Sequence, residues 1–142
     1  MRAFLGLLLL ALGVWLAVVI FRPPPPEPEL GPLTSSAQCA ECHAGVYAEW
    51  QASWHAQAWT DPEARNLSND FANADCIDCH APRPVFETGL ESRVLPRSTR
   101  RVEGVDCIAC HLLPDGRIAG TVDAPQSPCR AVAQRELLAP EL

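Results

Sequence analysis

Three copies of one short pattern constrain this chain more than anything else in it. Cys39-Ala-Glu-Cys42-His43, Cys76-Ile-Asp-Cys79-His80 and Cys107-Ile-Ala-Cys110-His111 each read C-x-x-C-H, within 142 residues. Two thiols separated by two residues can add across the two vinyl groups on one edge of a porphyrin. The histidine that follows is then held under the iron as its proximal axial ligand. Six of the 7 cysteines and three of the 4 histidines are spent in this way. The pattern therefore implies three covalently bound haem c groups, with thioethers at Cys39, Cys42, Cys76, Cys79, Cys107 and Cys110 and proximal ligands at His43, His80 and His111.

Zinc and disulfides are the plain alternatives. Paired C-x-x-C units can build a Cys₄ site, but zinc gives no reason for a histidine directly after every pair. Disulfides suit an oxidising compartment, and they too leave the adjacent histidines without a role.

The N-terminal stretch bears on the compartment. Ala3 to Phe21 is an unbroken apolar run flanked by Arg2 and Arg22. At helical rise it spans about 28 Å, close to the hydrocarbon thickness of a bilayer. A cleaved signal peptide has a shorter apolar region followed at once by a small-x-small site. Here the run ends in Phe21-Arg22-Pro23, and Ser35-Ser36-Ala37 lies too far downstream. An uncleaved signal anchor over residues 1–22 is the preferred reading, a cleaved leader the alternative. Haem c is attached outside the cytoplasm, so residues 37–142 are expected on the periplasmic side of a bacterial inner membrane, with the chain crossing once. The flanking charges agree weakly.

Residues 23–36 read as a proline-rich linker. Polyproline II would let it act as a semi-rigid spacer of some 40 Å. Residues 37–142 suffice for one domain, yet prolines interrupt them and long apolar runs are few. Three haems would have to serve as the core. The chain has 11 Lys and Arg against 17 Asp and Glu, a net charge of −6, and no lysine at all. That balance argues against nucleic-acid binding and suits a redox partner with a basic docking face.

After the first motif, Ala44 to Trp59 reads as a helix that Asp61-Pro62 closes, with Tyr47, Trp50 and Trp54 on one face. His55, the remaining histidine, is the candidate distal ligand. On a continuous helix it would stand about 18 Å along the axis from His43, too far to share an iron with it, and would bind a neighbouring haem instead. That inference holds only if the helix is unbroken.

Pro82, Pro84 and Pro96 predict extended and turn structure between the second and third motifs. Arg93, Arg97, Arg100 and Arg101 cluster there, either to pair with haem propionates or as a solvated basic face. Pro114-Asp115-Gly116 signals a turn. Ser127-Pro128 resembles an N-cap opening a short helix to about Leu138. Cys129 is the odd cysteine. A buried or idle thiol is the preferred reading, with an axial thiolate or an intermolecular disulfide behind it.

Three haems leave three distal positions, and only His55 is spare. The sole methionine is Met1, so the Met/His ligation that raises potential in simple c-type cytochromes is not expected. The remaining positions are open, weakly ligated, or completed by another polypeptide.

The segment CAECHAGVYAEWQASWHAQAW resembles the start of the multihaem cytochromes related to the tetrahaem electron acceptor of hydroxylamine oxidoreductase. Trp50 and Ser53-Trp54-His55-Ala56 match that group's pattern, and CIDCHAPRPVFETG and EGVDCIACH are similar to its second and third haem segments. The resemblance runs over roughly residues 37–115. It implies electron transfer, and it implies that His55 ligates the haem on Cys107 and Cys110, in a tightly stacked pair. The group's fourth haem motif and further distal histidines are missing here.

The expected fold is mostly α with much irregular structure, a small multihaem cytochrome c domain tethered by one N-terminal transmembrane helix. The expected function is electron transfer between a membrane oxidoreductase or complex and another cytochrome, as part of a longer haem chain whose partner donates distal ligands. A carrier is favoured over an enzyme. The contrasting reading is a reductase of nitrite, hydroxylamine or peroxide at an open haem.

Overall fold

The computed structural model describes residues 2–23, 25–27 and 33–135. Its elements are short. A helix α1 (Arg2–Ile20) is followed by a 3₁₀ turn (Ser36–Cys39), α2 (Ala40–Gln51), α3 (Trp54–Gln57), α4 (Pro62–Leu67), α5 (Ala74–His80) and α6 (Val85–Thr88). A second 3₁₀ turn (Arg101–Glu103), α7 (Cys107–His111) and two paired strands, β1 (Ala119–Gly120) and β2 (Val132–Ala133), complete it. The domain is mostly helical and irregular, as expected.

The large apolar side chains of α1 stand exposed, from Phe4 to Ile20. Among the described residues no helix is long and apolar enough to cross a membrane. The linker is not a free spacer over its whole length. Arg83 donates from Nη1 to the Pro25 carbonyl (2.8 Å) and from Nη2 to that of Pro26 (2.5 Å). Glu27 accepts from the Ser98 amide and from Thr99 Oγ1. The chain before the domain is thus held against it.

The predicted helix over Ala44–Trp59 is broken. Ser53 is extended (φ −89°, ψ 161°) and starts α3 as its N-cap. Its hydroxyl donates to the Trp50 carbonyl (2.6 Å) and accepts from the Ala56 amide (3.4 Å), so one side chain ends α2 and opens α3. His43 adds a kink within α2 (φ −122°, ψ 43°). Asp61-Pro62 opens a helix instead of closing one: Asp61 accepts from the Ala64 amide (2.7 Å) with Pro62 in the first turn of α4. Of the expected aromatic stripe, Tyr47 and Trp50 meet at 5.3 Å between ring centroids, whereas Trp54 is 77% exposed.

Further along, Pro82 and Pro96 pair in an isolated antiparallel bridge, as the prolines implied, but the stretch they were expected to keep free of helix also holds α6 and the 3₁₀ turn at Arg101–Glu103. Pro114-Asp115-Gly116 does turn the chain. Gly116 has φ +78° and its amide donates to the Leu113 carbonyl. The helix expected from Ser127 is absent over the described residues, and its predicted end, 136–138, lies outside them. The Ser127 hydroxyl donates to the Ala124 carbonyl and accepts from the Ala131 amide, and Arg130 is left-handed (φ +45°). This turn brings Val132–Ala133 into parallel pairing with Ala119–Gly120.

The buried apolar residues are Phe71, Ile77, Ala81, Ile108, Ala109, Leu112, Leu113 and Ala119. Most lie inside the second and third C-x-x-C-H motifs or directly after them. The reason is helical geometry. Positions i and i+3 share one face of a turn, while i+1 and i+2 face away from it. Ile77 and Asp78, like Ile108 and Ala109, are buried, so the paired cysteines of these two motifs lie toward the less buried side of the turn. In the first motif the middle residues are not buried: Ala40 is half-buried and Glu41 exposed.

Candidate haem-binding site

Each motif starts from a capped helical turn. Ser35 forms a capping box with Gln38 ahead of Cys39. The Asn73 side chain accepts from the Asp75 amide (2.9 Å) ahead of Cys76. Asp106 accepts from the Ala109 amide (2.8 Å) ahead of Ile108 and Cys110. These caps satisfy amides that a short helix would otherwise leave unpaired.

Two of the three motif histidines are oriented by the backbone. Nδ1 of His80 lies 2.6 Å from the Ala58 carbonyl oxygen, and Nδ1 of His111 lies 2.8 Å from that of Ala119. A carbonyl can only accept, so Nδ1 carries the proton and Nε2 keeps its lone pair. That is the tautomer and ring anchoring an iron ligand requires. Phe71 packs 5.1 Å from the His80 ring and stacks on Trp59 at 4.3 Å. Arg65 and Arg101 lie 5.8 Å and 5.1 Å from the Trp59 ring. His43 is exposed and has no such backbone partner among the described residues.

The residues therefore fit covalent haem. No cysteine of the three motifs is buried, Nε2 of His80 and of His111 keeps its lone pair, and the middle residues anchor the second and third turns. Among the described residues, no group of three or more His, Cys, Asp or Glu could hold a metal ion. Before attachment, one thiol in each motif is disfavoured as a thiolate. Burial, then the neighbouring Cys107 thiol, pushes Cys39 up to about 11. Burial, then Asp78, raises Cys79, and burial, then Asp106, raises Cys110.

The third motif is the hub. The Ile108 amide donates to Ser36 Oγ (3.4 Å) and the Ser36 amide to Glu103 (3.1 Å), joining the turn that carries Cys39 to α7. Trp50 Nε1 donates to the Val105 carbonyl (2.8 Å), and the Val105 amide to the His55 carbonyl (2.9 Å). With the α2–α3 helix broken, the axial separation of His43 and His55 no longer decides which iron His55 serves. What bears on it instead is that the backbone of His55 is bonded two residues ahead of Cys107. Cys129 is half-buried, 3.4 Å from Ser127 Oγ, and close enough to Cys39 for the two thiols to influence each other.

Of the arginine cluster, Arg97, Arg100 and Arg101 are engaged by protein groups, whereas Arg93 is largely exposed. Arg97 is buried, with Nη1 2.9 Å from Asp106 and Nη2 donating to the Arg100 and Gly104 carbonyls (3.0 and 2.8 Å). Arg100 pairs with Glu103 (3.0 Å) and Asp106 (2.6 Å). Arg101 donates to the Arg97 carbonyl. Arg93, largely exposed, bridges Asp75 and Asp78. Each acidic partner flanks or sits inside a C-x-x-C-H motif, so the arginines hold the second and third attachment turns in place. Burial would push the Asp106 carboxyl up, but Arg97 and Arg100 and its hydrogen bonds outweigh that and hold it below the usual range.

The decisive comparison concerns the segment these contacts assemble. The family model described as "Cytochrome c554 and c-prime" matches residues 38–112, more than half of the chain and all three motifs. The chain belongs to that family. It is a multihaem c-type cytochrome, and the family is the one that includes the electron acceptor of hydroxylamine oxidoreductase. No curated relative and no solved structure is similar enough to add to this match. Sequence reasoning missed Trp59, Phe71 and Arg83. Nothing in the residues around them signalled a role.

Proposed function

We propose that this cytochrome carries three haem c groups and passes electrons at the outer face of a plasma membrane, between a membrane oxidoreductase or complex and another cytochrome. Bound haem supplies a one-electron ferric–ferrous couple, and the protein supplies spacing, ligation and solvent exclusion. In this reading Cys39 and Cys42, Cys76 and Cys79, and Cys107 and Cys110 form the thioethers. His43, His80 and His111 are proximal ligands, and His55 is the distal ligand of the haem on Cys107 and Cys110. The observation that carries it is the pair of backbone-anchored rings, His80 on Ala58 and His111 on Ala119.

Membrane anchoring is supported by the apolar run Ala3–Phe21 and by the exposure of the large apolar side chains of α1. Partner-donated distal ligands are supported by the inventory: one spare histidine and no lysine for three irons. The cleft beside the second motif, about 290 Å³ and lined by Asp75, Asp78, Arg93 and Leu95 among others, has its charged groups already paired with one another. With His55 spent as a ligand, the sequence has no further histidine and no lysine to act as acid or base beside an open haem, which favours a carrier over a small-molecule reductase.

One set of measurements tests the reading. The intact mass should exceed that of the chain by three haems. Carbon monoxide binding and spin state should be compared in isolated protein and native membranes. High-spin haems that become low-spin in the membrane support ligands from a partner. High-spin haems that persist there and turn over nitrite, hydroxylamine or peroxide replace the carrier with a reductase.

A further inference from the structure

We infer that Pro25–Glu27 is a docked strap, which shortens the tether of the haem domain and turns the face just beyond the second motif toward the membrane. The orientation rests on the anchor proposed above; the docking itself does not.

Arg83 is 3% exposed, and its amide donates to the Leu95 carbonyl. What covers it is the strap. Its guanidinium grips Glu87 through Nε and Nη2, and its outer N–H groups reach the successive carbonyls of Pro25 and Pro26. Prolines suit this role. Their φ is fixed, so little conformational freedom is lost on docking, and they bring acceptors with no N–H to satisfy. Glu27 makes a second point of attachment, at the Ser98 amide and the Thr99 hydroxyl. It docks as a carboxylate. Burial opposes its charge, but the bonds from Ser98 and Thr99 and the nearby Arg83 prevail.

Two attachment points change the reach of the tether. Pro25 is four steps along the chain from Phe21, just past the end of α1, which allows at most about 14 Å. A free linker over residues 23–36 would allow about 40 Å. Arg83 follows His80 by three residues, so the second motif lies within about 11 Å of chain beyond the docking point. The haem attached there is the one the strap brings toward the bilayer.

Two measurements on the full holo chain separate the strap from the anchor. In detergent, a glutamyl-specific protease is expected to cut after Glu29 at least about fivefold more slowly in wild type than in Glu27→Ala, each rate normalised to the matching free peptide. Equal normalised rates overturn the strap. In phosphatidylcholine vesicles carrying a headgroup fluorophore, haem quenching should be strong in wild type. It should be at least about twofold weaker in Glu27→Ala and Thr99→Val with the haem spectrum unchanged, since quenching falls steeply over the extra reach. Slow cleavage together with a wild-type chain that fails to float with the vesicles overturns the membrane orientation and the anchor, and leaves the docked strap standing.

Discussion

Gly104 lies against the carbonyl oxygen of His55 so closely that a β-carbon on it would stand 2.3 Å from that oxygen and 2.9 Å from the carbonyl oxygen of Ala56. Its backbone, φ +60° and ψ −135°, belongs to a region that only glycine occupies readily. The residue carrying the candidate distal ligand is thus seated on the approach to the third motif by a contact that no other side chain permits.

Gly104→Ala is therefore expected to push the His55 corner away from α7. The obstacle is backbone on both sides, so the cost should be at least about 2 kcal/mol. If His55 ligates the neighbouring iron, the variant should show one additional high-spin haem by absorption and electron paramagnetic resonance, matching His55→Ala. Unchanged spin states in both variants would remove His55 from the ligand set.

Asp106 is 2% exposed, pairs with Arg97 and Arg100, and caps the turn that carries Cys110. Asp106→Asn leaves the buried Arg97 without its counter-charge and removes one of the two carboxylates that Arg100 meets, and should cost about 3–5 kcal/mol in chemical denaturation. The pH dependence has a definite sign. The folded pKa of Asp106 is below its unfolded value, so its contribution is complete above the unfolded value, near pH 4. It is lost as pH falls through the folded pKa. Wild type should lose stability across that acidic range, and Asp106→Asn should lose less. Parallel acid profiles for the two would contradict the pairing.

Arg93 provides the contrast. It bridges Asp75 and Asp78, but its own side chain is 66% exposed. Solvent and salt screen such pairs. The Asp75 arm, exposed on both sides, should therefore count for little: Asp75→Asn should barely move the thermal midpoint, and the small difference should vanish in high salt. A large, salt-insensitive loss would mean that this bridge, and not the buried Arg97–Asp106 pair, holds the attachment turns.

Asn69, Asp70 and Phe71 are three consecutive left-handed residues, with φ of 50°, 60° and 57°. What compensates the strain is Phe71, which is buried against Trp59 and beside His80. Asn69→Gly should relieve part of it and stabilise the protein by about 0.5 kcal/mol, raising the thermal midpoint by a few degrees. A fall in the midpoint would show that the Asn69 side chain contributes more than its backbone costs.

The chemistry of the chain was legible in its residues alone. Covalent haem attachment depends on two thiols and a histidine within five consecutive positions, and no tertiary contact is needed to recognise C-x-x-C-H at Cys39, Cys76 and Cys107. The turn at Gly116 and the bends at Pro82 and Pro96 were equally local. What the sequence left undecided were relations between residues far apart in the chain. Ser53 breaks the helix because its hydroxyl satisfies both ends of the gap. Arg97 and Arg100 meet at Asp106 because folding brings the three together, with Arg97 and Asp106 buried. Val132–Ala133 forms a strand, where Ser127-Pro128 promised a helix, because β1 offers it backbone partners. Pro25 and Pro26 leave the spacer they resemble because Arg83 waits with unpaired N–H groups. Local covalent chemistry is written in spacing, whereas burial and pairing arise only when the chain closes on itself, and here they decide how the attachment turns are held.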